Sequence, residues 1–95
     1  MFTKDQIAVF NECIEKYGAE AQIDMAIEEM SELTKALLKK RRGKGGVTDI
    51  TDEMADVRIM LKQLEMIFDN KAEVEERAEY KVSRQKQRLK KEDKE

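Results

Sequence analysis

Five acidic residues carry the spacing in this sequence that could do chemistry. Glu28, Glu29 and Glu32 form an EExxE pattern, and Glu53 and Asp56 form an ExxD pattern further along the chain. Residues three apart on a helix are surface neighbours. Glu29 and Glu32 therefore make one pair, and Glu53 and Asp56 another. If the two carrier helices face each other, four carboxylates surround one small volume. Spacing alone is a weak signal, because Glu75, Glu76 and Glu79 repeat EExxE and Glu12 and Glu15 share the three-residue interval. A solvated acidic face accounts for any such set taken singly.

Context separates the copies. Glu53 falls on the same helical line as Met60 and Leu64, and Asp56 lines up with Met60 and Ile67. Glu29 and Glu32 share a face with Met25 and Ala36. These acids lie within or beside apolar stripes, whereas Glu75, Glu76 and Glu79 are interleaved with Arg77 and Lys81 and read as solvated. A core-facing carboxylate is costly unless paired. Four together repel, so protons or cations must compensate. No Lys or Arg shares the inward face near Glu53. A hard, oxygen-preferring cation fits this set, magnesium above all, with manganese as an alternative. The competing reading is a protonated or salt-bridged acidic cluster at a subunit interface.

Missing residue types narrow the chemistry. There is no histidine and one cysteine. That excludes the Glu-x-x-His motif of carboxylate-bridged di-iron bundles, a conventional zinc site, and a Ser-His or Cys-His nucleophile within the chain. An all-carboxylate magnesium site remains. Such sites bind substrate phosphates and activate water.

The elements that must position these acids are helices. The chain has 95 residues, no proline and 4 glycines, enough for one thin-cored domain spanning residues 1–95. Charged residues make up 42% and hydrophobic residues 40%, and apolar positions recur every three or four residues. The pattern predicts an all-α bundle of about four helices, completed by oligomerisation. The first runs from Lys4 to Tyr17, between Thr3 as N-cap and Gly18 as stop, with the stripe Ile7, Phe10, Ile14 and Tyr17. The second runs from Ala19 to Lys40, with the stripe Ile23, Ile27, Met30, Leu33 and Leu37. Lys39 to Arg42 suit its C-terminal dipole and read as a helix-end and solubility feature. A loop at Gly43, Gly45 and Gly46 leads to a third helix from Thr51 to Asn70, with Thr48, Asp49 and Thr51 as candidate caps. Its stripe is Val57, Met60, Leu61, Leu64, Ile67 and Phe68. A fourth, from Lys71, carries the weak stripe Val74, Ala78, Val82 and Leu89, and the charged residues 90–95 are expected to fray.

The fourth helix also carries Arg77, Lys81, Arg84 and Arg88 at helical spacing. This basic stripe suits phosphate oxygens, and a solvated helix accounts for it equally well. Net charge is -2, aromatic residues are 5%, and Trp is absent, so a nucleic-acid partner is not expected. Cys13, flanked by Phe10 and Ile14, reads as a small buried apolar residue, with a reactive thiol as the alternative. No long apolar run suggests a membrane span or secretory segment, and a cytoplasmic location is expected.

The run EEMSELTKALLKKRRG followed by DEMADVRIMLKQLEMIF resembles the MazG-like, all-alpha nucleoside triphosphate pyrophosphohydrolases. The likeness covers roughly residues 20–89 and rests on the paired motifs with a basic, glycine-containing loop between them. It implies magnesium-dependent hydrolysis of nucleoside triphosphates to the monophosphate and pyrophosphate by a homodimer or homotetramer. It assigns Glu29, Glu32, Glu53 and Asp56 as metal ligands. Glu28 matches the first motif glutamate and would orient water or a ligand. Lys81 and Arg84, in the sequence Lys81-Val82-Ser83-Arg84, resemble a basic K-x-x-R region that contacts phosphate. Glu32 or Glu28 would accept a proton from the attacking water, and Phe10 is a candidate for either a base pocket or the core. Phosphoribosyl-ATP pyrophosphohydrolase, of the same fold, and a non-catalytic helical interaction module are the rival readings.

Overall fold

In a computed structural model of the protein, residues 1–93 are described. Four helices and no strand make up the described residues: α1 (Lys4–Tyr17), α2 (Ala19–Arg41), α3 (Val47–Phe68) and α4 (Lys71–Asp93). The all-α expectation holds.

α1 begins where the sequence places it. The Thr3 hydroxyl accepts from the Gln6 backbone N–H at 3.1 Å, and the Gln6 side-chain oxygen accepts from the Thr3 N–H at 2.9 Å. This capping box satisfies two amides that the first turn leaves without helical partners. Gly18 ends α1 at φ 93°, and its N–H donates to the Ile14 carbonyl. Phe10 is buried and meets Phe2 edge-on, with ring centroids 4.9 Å apart. That assigns Phe10 to the core rather than to a base pocket.

α2 and α3 form the heart of the molecule, packed along most of their lengths. The inward line of α2 is Gln22, Ala26, Glu29, Leu33 and Ala36, all buried or half-buried. It replaces most of the expected stripe: Ile27, Met30 and Leu37 face outward and are exposed. The reason is steric. Ala26, only 1% exposed, is small enough to be enclosed in a closely packed helix interface. The inward line of α3 is Ile50, Glu53, Val57, Met60, Leu64 and Ile67, with intervals of three and four as in a helix seam. Gln22 and Gln63 are both buried and face each other, the Gln22 amide donating to the Gln63 amide oxygen at 2.6 Å.

The α2–α3 connection is shorter than expected. α3 starts at Val47, four residues before Thr51, behind Gly46 in an extended conformation. Thr48, Asp49 and Thr51 are therefore helical rather than caps, and the Thr51 hydroxyl donates back to the Val47 carbonyl. Gly45 adopts φ 68°, a left-handed conformation that side chains resist. At the far end α3 stops at Phe68, two residues early, where Asp69 is left-handed.

α4 touches only α3, and each of its residues is exposed. Lys90 to Asp93 continue the helix where fraying is expected from composition. Lys and Glu are good helix formers, and Lys90 and Lys91 suit the C-terminal dipole. Lys94 and Glu95 lie outside the described residues. The principal extents are 55 × 37 × 23 Å. No helix among the described residues is long and apolar enough to cross a membrane.

Candidate metal centre

The packing of α2 on α3 brings three of the predicted ligands together. Glu29, Glu53 and Asp56 each offer a carboxylate oxygen, and the three oxygens lie within 4.8 Å of one another. Glu29 sits on the inward line of α2 and Glu53 on that of α3. Both are half-buried, whereas Asp56, one turn beyond Glu53, is exposed. The sequence pattern put Asp56 on the line of Met60, but the helix seam runs through Glu53 and Val57 and leaves Asp56 at its edge. The short carboxylate still reaches the group.

Desolvation and, after it, crowding of like charges disturb these acids. Partial desolvation holds the Glu29 carboxyl above its ordinary range, reinforced by a side-chain hydrogen bond with Asp56 and by the charges of Asp56, Glu53 and Glu28. Desolvation also raises the Glu53 carboxyl, helped by the charges of Asp56, Glu32, Asp52 and Asp49. A hydrogen bond between two carboxyls needs a proton on one of them. The cluster therefore favours protons, and a divalent cation would satisfy the same oxygens. Three carboxylates from two rigid helices fit a hard cation that keeps positions open for water and phosphate.

Glu32 stands beside this group rather than in it. It is half-buried, and its carboxylate pairs with Lys35 at 3.2 Å. It lines a cleft of about 280 Å³ bounded by α2, the glycine loop and the start of α3. Lys35, Lys39, Asp49, Asp52 and Glu53 share that wall. Glu53 thus belongs to both the cleft and the cluster. Glu28 is exposed on α2 and acts on Glu29 as a neighbouring charge.

Lys81 and Arg84 are not gathered with the acids in the single chain. Lys81 lines an open groove with Asn70, Glu73, Val74, Arg77 and Ala78 on the α3–α4 side. The Arg84 and Arg77 guanidinium groups lie over the Tyr80 ring, 5.7 and 4.9 Å from its centroid. Lys35 and Lys39 line the cleft beside the acidic cluster. Sequence reasoning missed both, having assigned Lys39 to the helix end. The signal was present: Glu32, Lys35, Ala36 and Lys39 recur at intervals of three and four, one face of α2. Cys13 is half-buried, and Glu75, Glu76 and Glu79 are exposed, as the interleaved charges suggest.

No family model, curated protein or solved structure matches the chain.

Proposed function

We propose that the protein is a magnesium-dependent nucleoside triphosphate pyrophosphohydrolase, releasing the monophosphate and pyrophosphate. The observation that carries this reading is the convergence of Glu29, Glu53 and Asp56 within 4.8 Å, beside a cleft that also holds lysines. The resemblance of the two acidic motifs to the MazG-like enzymes supports it.

Glu29, Glu53 and Asp56 hold the cation in this reading, and Glu32 joins them by giving up its partner Lys35. Magnesium, when bound, polarises phosphoryl oxygens and lowers the pKa of a bound water. Glu32 lines the cleft and is the stronger candidate to take the proton from an attacking water, with Glu28 further out on α2. No α4 residue lines the cleft, so Lys81 and Arg84 take part where an assembly brings α4 to it. Oligomerisation fits the exposed apolar positions. On α3, Met54, Leu61 and Phe68 are 57%, 51% and 58% exposed at seven-residue intervals, and Val82 and Leu89 repeat that interval on α4. Seams of this period suit packing against further helices. The same seams favour the second reading, a non-catalytic interaction module.

The test is a panel of nucleoside triphosphates, with phosphoribosyl-ATP included, assayed for pyrophosphate with and without magnesium. Magnesium-dependent release of monophosphate and pyrophosphate is expected. Diphosphate and free phosphate as products would refute the reaction, and no turnover of any nucleotide would favour the interaction module.

A further inference from the structure

The cleft beside the acidic cluster has a composition of its own. Lys35 and Lys39 come from α2, Gly45 and Gly46 from the connecting loop, and Asp49, Asp52 and Glu53 from the first turns of α3. Apart from the aliphatic Ala36 and the glycines, its lining is charged, and no aromatic ring faces it. Ligand pockets that enclose a whole drug-sized molecule run from about 300 to 1,000 Å³. At about 280 Å³, this one suits a shorter, polar group. A nucleobase would find no aromatic stacking surface there.

The two lysines are in different states. Lys35 is paired with Glu32 at 3.2 Å. Lys39 has no carboxylate within 4.0 Å among the described residues. It is an ammonium group at the wall of a cleft with its charge unspent. The glycine loop adds no side-chain bulk beside Lys39: a Cβ at Gly45 would lie 3.6 Å from the Lys39 Cβ and 3.7 Å from Asp49 Oδ2. Four acids and two lysines line the cleft, Glu32, Asp49, Asp52 and Glu53 against Lys35 and Lys39. A bare polyanion would be repelled by that excess of negative charge, so a polyphosphate needs divalent cations both on its own oxygens and on the neighbouring acids to offset it.

We infer that this cleft is the pyrophosphate subsite, in which Lys39, joined by Lys35, grips the two terminal phosphates of the substrate and then the pyrophosphate product. The inference rests on the proposed hydrolysis and adds to it that these α2 lysines do the gripping. Lys39 supplies a point charge to the phosphate oxygens within the cleft that Glu53 also lines. Lys35 is released for the same task when Glu32 turns to the cation. The cleft reads the length of the phosphate chain and leaves the nucleoside outside, so it contributes alike for every base.

Titration calorimetry of the full chain with magnesium pyrophosphate tests this, using Lys39→Gln, Lys35→Gln and the control Lys40→Gln. Lys40 is exposed and lines no part of the cleft, yet its substitution removes the same charge from the same helix end. Loss of one charge-assisted contact is expected to weaken pyrophosphate binding about tenfold in Lys39→Gln. Lys35→Gln should lose less, and Lys40→Gln should bind as the parent does. Binding of manganese alone should be unchanged by Lys39→Gln. Parent-like pyrophosphate affinity in Lys39→Gln, an equal loss in Lys40→Gln, or no binding by the parent would each overturn the inference. Triphosphate turnover with parent-like pyrophosphate affinity in Lys39→Gln would remove the subsite and keep the enzyme. Lys39-dependent binding without turnover of any triphosphate would do the reverse.

Discussion

Glu53 concentrates the chemistry of the molecule at the scale of one residue. It belongs to the acid cluster and to the cleft, and its carboxyl is raised by desolvation and by four neighbouring acids. A carboxyl whose folded pKa lies above its unfolded value favours the fold while protonated. That contribution is complete below the ordinary range near 4.5 and is lost as pH rises through the raised value. Glu29 acts in the same direction. At neutral pH the metal-free protein is therefore under strain at this point. Glu53→Gln is expected to raise the metal-free Tm at pH 7, to blunt the response to magnesium, and to abolish pyrophosphate release. Thermal melts with and without magnesium check the first two, and a lower metal-free Tm than the parent would contradict the charge-crowding account. For the parent, free magnesium at a hundred times its Kd should add about 2.7 kcal/mol, a Tm rise on the order of 10–20 °C for a domain of this size. The three acids that converge, Glu29, Glu53 and Asp56, were legible in the sequence because spacing and apolar context both marked them, whereas Glu32 stands beside them paired with Lys35. Lys35 and Lys39 were not read as cleft residues, because their place in its lining depends on where the loop turns α3 back.

The element scale is set by the α2–α3 interface. Its seam was only half legible. The α3 line was readable because large apolar residues mark it. The α2 line was not, because its contact residues are Gln22, Ala26 and Ala36, which hydropathy ranks below the outward-facing Ile27, Met30 and Leu37. Close packing favours a small residue at a helix crossing whatever its hydropathy. The start of α3 was missed for a local reason, since Gly46 initiates it without any side-chain cap. The Gln22–Gln63 pair is an uncharged polar contact of this interface, and it ties one register of α2 on α3 to a satisfied hydrogen bond. Gln63→Leu should leave the Gln22 amide buried without that partner, costing about 1–3 kcal/mol. The double variant Gln22→Leu with Gln63→Leu should regain most of that loss. Chemical denaturation of the three proteins decides it, and additive losses would show that the pair is not coupled.

At the scale of the whole molecule the chain has more apolar surface than it covers. Among the described residues, Phe10, Ala26 and Met60 alone are buried apolar residues, while sixteen large apolar side chains, from Met1 to Leu89, are exposed. A core that thin rarely sustains a domain alone, which is why assembly was expected from length and composition. If copies pack through the seams of α3 and α4, Leu61→Asp with Val82→Asp should shift sedimentation toward the monomer mass and lower the Tm. Unchanged sedimentation would place the contact elsewhere. The exposure of α4 along its whole length has one further consequence. A helix whose 23 residues rest on a single neighbour opens at little cost in an isolated chain, so its amide protons should exchange with solvent far faster than those of α2 and α3. Protection of those amides that grows with protein concentration would make α4 a gauge of self-association, readable one backbone group at a time.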